Sequence, residues 1–116
     1  MEIHLDRTSS TGLSRQIVDE VVRAIRSGNL AAGERLPPSR ELAWALGLNM
    51  HTVLAAYAML AESGLVDVSR GRGTQVSADA GHRLSASADH LRDAVRRARG
   101  AGLSQDQIIS IVQEET

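Results

Sequence analysis

The 116-residue chain has no cysteine and no lysine, and only 2% of it is aromatic. Without cysteine there is no disulfide scaffold and no thiolate metal site. No stretch approaches the apolar length that spans a bilayer, so no membrane partner is expected. The N-terminus, MEIHLDRTSS, lacks a basic stretch followed by an apolar one and does not read as a signal peptide. Together these absences predict a cytoplasmic protein. Neither charge sign dominates: 13 basic residues face 14 acidic ones, for a net charge of −1. The total therefore gives no sign of an anionic partner. What is present is a 42% hydrophobic fraction, enough for a modest core and too much for disorder. Every basic residue is arginine, the better side chain for bidentate contacts to phosphate and guanine.

Periodicity divides the chain. After a polar lead-in over residues 1–12, with Ile3 and Leu5 as an extended start, Leu13, Ile17, Val21 and Ile25 mark one helical stripe, with Val18 and Val22 beside it. Gly28 supplies its stop. Asn29 to Pro38 is a connection built on Gly33 and two prolines. Ser39 is expected to cap a short second helix carrying Leu42, Ala43 and Leu46, ended by Gly47. Asn49 is expected to cap a third helix running to about Ser63, with Val53, Ala56, Tyr57 and Leu60 inward and Gly64 as the stop. Leu65 to Ser69 and Thr74 to Ser77 alternate around Arg70-Gly71-Arg72-Gly73, which predicts a β-hairpin. Residues 78–83 read as a linker. Leu84, Ala88, Leu91, Val95 and Ala98 then mark a fourth helix, stopped by Gly100 and Gly102. Ser104-Gln105-Asp106-Gln107 is a capping box opening a fifth, with Ile108, Ile109, Ile111 and Val112.

The expected fold is mainly α with a small β-hairpin: a winged helix-turn-helix over residues 1–77, then a linker and two-helix tail over 78–116. The pair from Ser39 to Ser63 has the length and turn glycine of a helix-turn-helix. In such a module the second helix enters the major groove and its first residues meet base edges. With Val53, Ala56, Tyr57 and Leu60 inward, Met50, His51, Leu54, Ala55 and Ala58 face outward. Asn49, His51 and Thr52 can hydrogen-bond bases or phosphates, and Met50 and Leu54 can meet thymine methyl groups. Arg40 stands on the first turn of the short helix, where a backbone contact is expected. Arg70 and Arg72 flank Gly71 at the hairpin tip. Alone, that tip reads as a solvated turn; after a helix-turn-helix it reads as a wing. Arg23 to Arg72 carries six arginines against four acidic residues, and Asn49 to Ala61 carries no acid at all.

These residues resemble the GntR family of bacterial transcription regulators. The resemblance rests on Leu13-Ser14-Arg15-Gln16-Ile17, on Ser27 through Ala43 with its Gly33-Glu34-Arg35-Leu36-Pro37-Pro38-Ser39-Arg40-Glu41-Leu42 run, on Leu46 through Val53, and on Glu62-Ser63-Gly64-Leu65-Val66 with Arg70-Gly71-Arg72-Gly73-Thr74. It covers about residues 13–77. The short tail, Tyr57 and the Leu103-Ser104-Gln105-Asp106-Gln107 start of the last helix are similar to the YtrA subfamily. That likeness implies tail-mediated dimerisation and genes beside transporter operons. Carried over by position, the family's DNA contacts fall on Arg40, Asn49, Met50, His51, Thr52, Leu54, Gly71 and Arg72. Met50 and Leu54 stand where many relatives have arginine, and Trp44 where relatives usually have a polar residue.

The tail independently predicts a homodimer. Its apolar residues Leu84, Leu91, Val95, Ile108, Ile109 and Val112 cannot bury much on each other, and a second copy would cover them. The function expected is a sequence-specific, dimeric repressor of its own operon, bound to a pseudo-palindromic double-stranded operator. The alternative is a winged helix used for protein contacts without DNA, which the apolar Met50 and Leu54 would suit. An enzyme is not expected, since no nucleophile, base and orienter come together and no phosphate loop is present. No cofactor is implied. His4, His82 and His90 are scattered without ligand spacing, so no metal is expected. A small-molecule effector, which the sequence does not identify, would have room only at the dimer interface or between tail and winged helix. Arg92, Arg96, Arg97 and Arg99 read first as a solvated face pairing with Asp89 and Asp93, and second as a further DNA or partner contact.

Overall fold

The computed structural model describes residues 2–116. In chain order the elements are α1 (Leu13–Ser27), α2 (Ser39–Leu46), α3 (Met50–Glu62), β1 (Val66–Ser69), β2 (Gly73–Val76), α4 (Ala80–Gly100) and α5 (Gln105–Glu114). Two compact units result, one ending at His82 and one spanning Arg83–Thr116, so the division falls inside α4.

The first unit is organised around α1 and α3. Ile17, Val21, Val53 and Leu60 are its most deeply buried large side chains. Each contributes about 1.5–3 kcal/mol by leaving water. Leu42 and Ala43 from α2, Ala56 and Tyr57 from α3, and Val66 and Val76 from the hairpin close the core around them. These are the stripes the sequence periodicity predicts. The local stops also fall as expected. Gly28 and Gly47 sit in the left-handed conformation at the ends of α1 and α2, with φ of 85° and 67°. Most side chains resist that conformation.

Three expectations are corrected. Ser39 does not cap α2. Pro38 holds that position, because its carbonyl accepts the first helical bond from the Leu42 amide at 3.0 Å, and Ser39 is the first helical residue. The fourth helix starts at Ala80, not Leu84. A turn from Ser77 to Ala80 (3.2 Å) and full burial of Ala80 carry the helix through Gly81, whose propensity cost is only about 1 kcal/mol. Residues 33–36 are more than a connection. They pair with the outer edge of β2 through Gly33 N to Val76 O (2.8 Å), Val76 N to Glu34 O (2.9 Å) and Leu36 N to Thr74 O (2.8 Å). The antiparallel hairpin, in register Val66↔Val76 to Ser69↔Gly73, thus gains a third edge segment.

The second unit is locally regular but thinly packed. The Ser104 hydroxyl accepts from the Gln107 amide at 3.2 Å, while the Gln107 side chain accepts from the Ser104 amide at 2.9 Å. The reciprocal cap forms as the sequence predicts. Arg92 pairs with Asp89 (2.9 Å) and Arg97 with Asp93 (3.0 Å). Such exposed pairs are worth about 0.3–0.5 kcal/mol each. No residue of α5 is buried, and Leu91, Ile109 and Val112 are 59%, 43% and 48% exposed. Leu84, Val95 and Ile108 are half-buried.

Candidate nucleic-acid interface

The start of α3 is built by local chemistry. Asn49 adopts an extended backbone and its side-chain oxygen accepts from the His51 amide at 2.8 Å. The positive end of the helix dipole therefore emerges at Met50, and no acidic residue stands in the first turn to neutralise it. A helix start of this kind favours phosphate. Asn49 and His51 are exposed there, Met50 and Thr52 half-exposed, and Leu54 follows at 41% exposure. Val53, Ala56, Tyr57 and Leu60 are inward, so the division of faces expected from the sequence holds.

Two ties orient this helix. Ser14 on α1 donates to the Thr52 carbonyl at 2.8 Å. Tyr57 donates its hydroxyl proton to the Pro37 carbonyl at 2.6 Å, joining α3 to the segment that enters α2. Burial pushes the Tyr57 phenol up to about 12.

The wing tip is a three-residue loop, Arg70-Gly71-Arg72, between paired Ser69 and Gly73. The Arg72 amide donates to the Ser69 carbonyl at 3.3 Å, and Gly71 stands third in that turn with φ +81°. A positive φ there is what a type II turn requires, and only glycine adopts it without cost. Both arginines are exposed.

An open cleft of about 990 Å³ separates α3 from the wing. Leu54, Tyr57 and Ala58 line one wall, Val68 and Gly71 through Thr74 the other, and Leu36 through Ser39 the floor. The cleft thus brings Leu54, Gly71 and Arg72 together. Arg40, Asn49, Met50, His51 and Thr52 lie outside it, Arg40 exposed on the first turn of α2 and the others at the start of α3. Glu41 also lines the cleft and Val68 is 65% exposed on it, two participants the sequence reading did not include. Alternation along β1 could have indicated Val68, since it points to the same side as buried Val66. Trp44 is 87% exposed on α2.

Among the described residues, no group of three or more histidine or acidic side chains is arranged to hold a metal ion, and no helix is long and apolar enough to cross a membrane.

The profile of the bacterial regulatory proteins of the gntR family matches residues 13–76. The HTH-type transcriptional repressor YtrA from Bacillus subtilis is 37% identical over 78 residues, 67% of this chain and 60% of that protein. The solved structure of YtrA from Sulfolobus acidocaldarius, a GntR-family transcription factor, superposes with a TM-score of 0.66 at 35% identity, covering 84% of this chain and 97% of that one. The DNA-binding domain of AraR in complex with operator ORX1 gives a TM-score of 0.58 at 25% identity, covering 66% of this chain and 96% of that domain. The chain spans between 17% and 60% of the length of the curated relatives it matches. A matched family covering more than half of the chain, a winged helix and a two-helix tail agree. The chain belongs to the gntR family of bacterial regulatory proteins, with a winged helix and short tail similar to those of YtrA.

Proposed function

We propose that the chain is a homodimeric repressor that controls its own operon from the cytoplasm by occupying a pseudo-palindromic operator. The observation that carries this reading is the start of α3. It offers capped, acid-free polar groups at the positive end of a helix, beside a cleft whose far wall ends in Arg72. In this reading α3 enters the major groove. Asn49, His51 and Thr52 serve bases and phosphates there, and Met50 and Leu54 serve thymine methyl groups. Arg40 takes the phosphate backbone, and Arg70, Gly71 and Arg72 lie along the neighbouring phosphates or minor groove. The relative named as a repressor and the operator-bound AraR domain support the assignment.

Residues 1–77 would be the DNA-binding part and 78–116 the dimerisation part. Leu91, Ile109 and Val112, left exposed in one chain, would with Leu84, Val95 and Ile108 form the face that a second copy covers. A two-fold dimer would set two copies of α3 about 34–36 Å apart, one turn of the duplex.

Fluorescence anisotropy with a labelled duplex from the chain's own upstream region, alongside light scattering, tests both parts. The expected result is a dimer of twice 12.4 kDa that prefers this duplex to a scrambled one. A folded protein with no preference, at any salt concentration and with or without metabolite extract, would sink the repressor reading. A monomer that binds would sink the dimer.

A further inference from the structure

The polar lead-in before α1 is folded onto the helix-turn-helix. Thr8 donates its amide (2.9 Å) and its hydroxyl (2.6 Å) to the Asp6 carboxylate, closing a tight turn around Arg7. Gln16 on α1 anchors that turn. Its side-chain oxygen accepts from the Asp6 amide at 2.8 Å, and its side-chain nitrogen donates to the carbonyls of Asp6 (2.9 Å) and Thr11 (2.8 Å). The lead-in is thus held on either side of Arg7, at Asp6 and at Thr11. From it the Arg7 guanidinium reaches across about 40 residues of sequence and donates Nη2 to the carbonyls of Leu46 at 2.7 Å and Gly47 at 3.4 Å.

Those two carbonyls are special. Leu46 is the last residue of α2, where carbonyls lack helical partners and the dipole is negative. Gly47 is the left-handed turn residue, and a Cβ there would stand 3.5 Å from Arg7 Nη2. Two residues later, Asn49 caps α3. The cation therefore sits on the joint between the two helices of the DNA-binding pair, and Ser14 holds the first turn of α3 through the Thr52 carbonyl.

We propose that Arg7 is a positioning residue for DNA binding. By satisfying the end of α2 it fixes the turn from which the α3 helix departs, and so sets where Asn49, His51 and Thr52 stand relative to the wing. Arg7 acts through the protein's own backbone, not through a phosphate. The inference rests on α3 being the DNA-reading helix.

Arg7→Ala and Arg7→Lys, made in the full chain, separate the possibilities. Hydrogen exchange without DNA reads the joint directly. The amides of Leu48 and His51 should exchange several-fold faster in Arg7→Ala, with exchange in α1 unchanged, and Arg7→Lys should restore most of the protection. Anisotropy with the duplex from the upstream region should show affinity falling roughly five- to tenfold in Arg7→Ala, the scale of one ordinary net hydrogen bond. The dependence of log affinity on log salt should keep its slope. Loss of about one unit of slope with unchanged exchange would make Arg7 a phosphate contact and overturn the proposal. Unchanged exchange with unchanged affinity would overturn it too. If wild-type protein fails to bind the duplex, the reading of α3 falls and the DNA role of Arg7 with it. The exchange data would still decide whether Arg7 holds the joint.

Discussion

The helix pairs α2–α3 and α4–α5 are equally regular in backbone but unequal in what they bury. α3 opens with a side-chain cap from Asn49, and α5 opens with a fuller one from Ser104 and Gln107. Yet α3 places Val53, Ala56, Tyr57 and Leu60 in a closed core, while α5 has no fully buried residue. Capping chemistry therefore explains where each helix starts. It does not explain what keeps a helix folded, because short helices in water draw most of their stability from packing. The first unit supplies that packing from within one chain. In the second, the proposed dimer is what would supply it.

The largest break in this contrast should come from Leu60→Ala, which opens a cavity in the closed core and costs about 2–5 kcal/mol. Thermal or urea melting should show it at every protein concentration. Ile109→Ala removes a comparable apolar group from an exposed site. Its effect should show as a lower melting temperature only at concentrations where the wild-type protein is dimeric, and should vanish on dilution to monomer.

Arg72→Ala should leave melting unchanged and weaken duplex binding about tenfold, with the salt slope reduced by about one if the wing meets phosphate. An unchanged slope at equal loss of affinity would move Arg72 from phosphate to base contact. The two caps offer a matched pair. Asn49→Ala and Ser104→Ala should each cost about 1 kcal/mol of helix stability. Only the first should also reduce duplex affinity, and circular dichroism with anisotropy would show whether that split holds.

Tyr57→Phe removes the bond to Pro37 and should cost about 0.5–1.5 kcal/mol at neutral pH. The phenol also gives the core a high-pH limit. Its folded value, raised from 10.0 to about 12, means that the folded state holds the proton more tightly than the unfolded chain does. That contribution is complete below pH 10 and is lost as pH rises through 12. Melting temperatures between those values should fall faster for wild type than for Tyr57→Phe.

Much of this was legible in the sequence because it is written locally. The α1 stripe, the glycines after α1 and α2, the Asn49 and Ser104 caps and the Arg-Gly hairpin all depend on residues within a few positions of one another. What stayed hidden depends on distant partners. Arg7 gives no local sign that it will reach Leu46, and the pairing of Arg35 with Gln75 spans forty residues. Ser39 looked like a cap because its side chain suits one, but the carbonyl that starts the helix belongs to Pro38. Ala80 joined α4 because the first unit buries it, which no helix propensity around Gly81 announces.

The pairing of residues 33–36 with β2 has a mechanical consequence. Strand β2 is clasped on both edges, and the chain passes from that clasp through Pro37 and Pro38 directly into α2. The wing is thus no loose flap. Its base shares backbone hydrogen bonds with the segment that enters α2, so Thr74 of the wing and Leu36 before the two prolines are held as one piece of backbone.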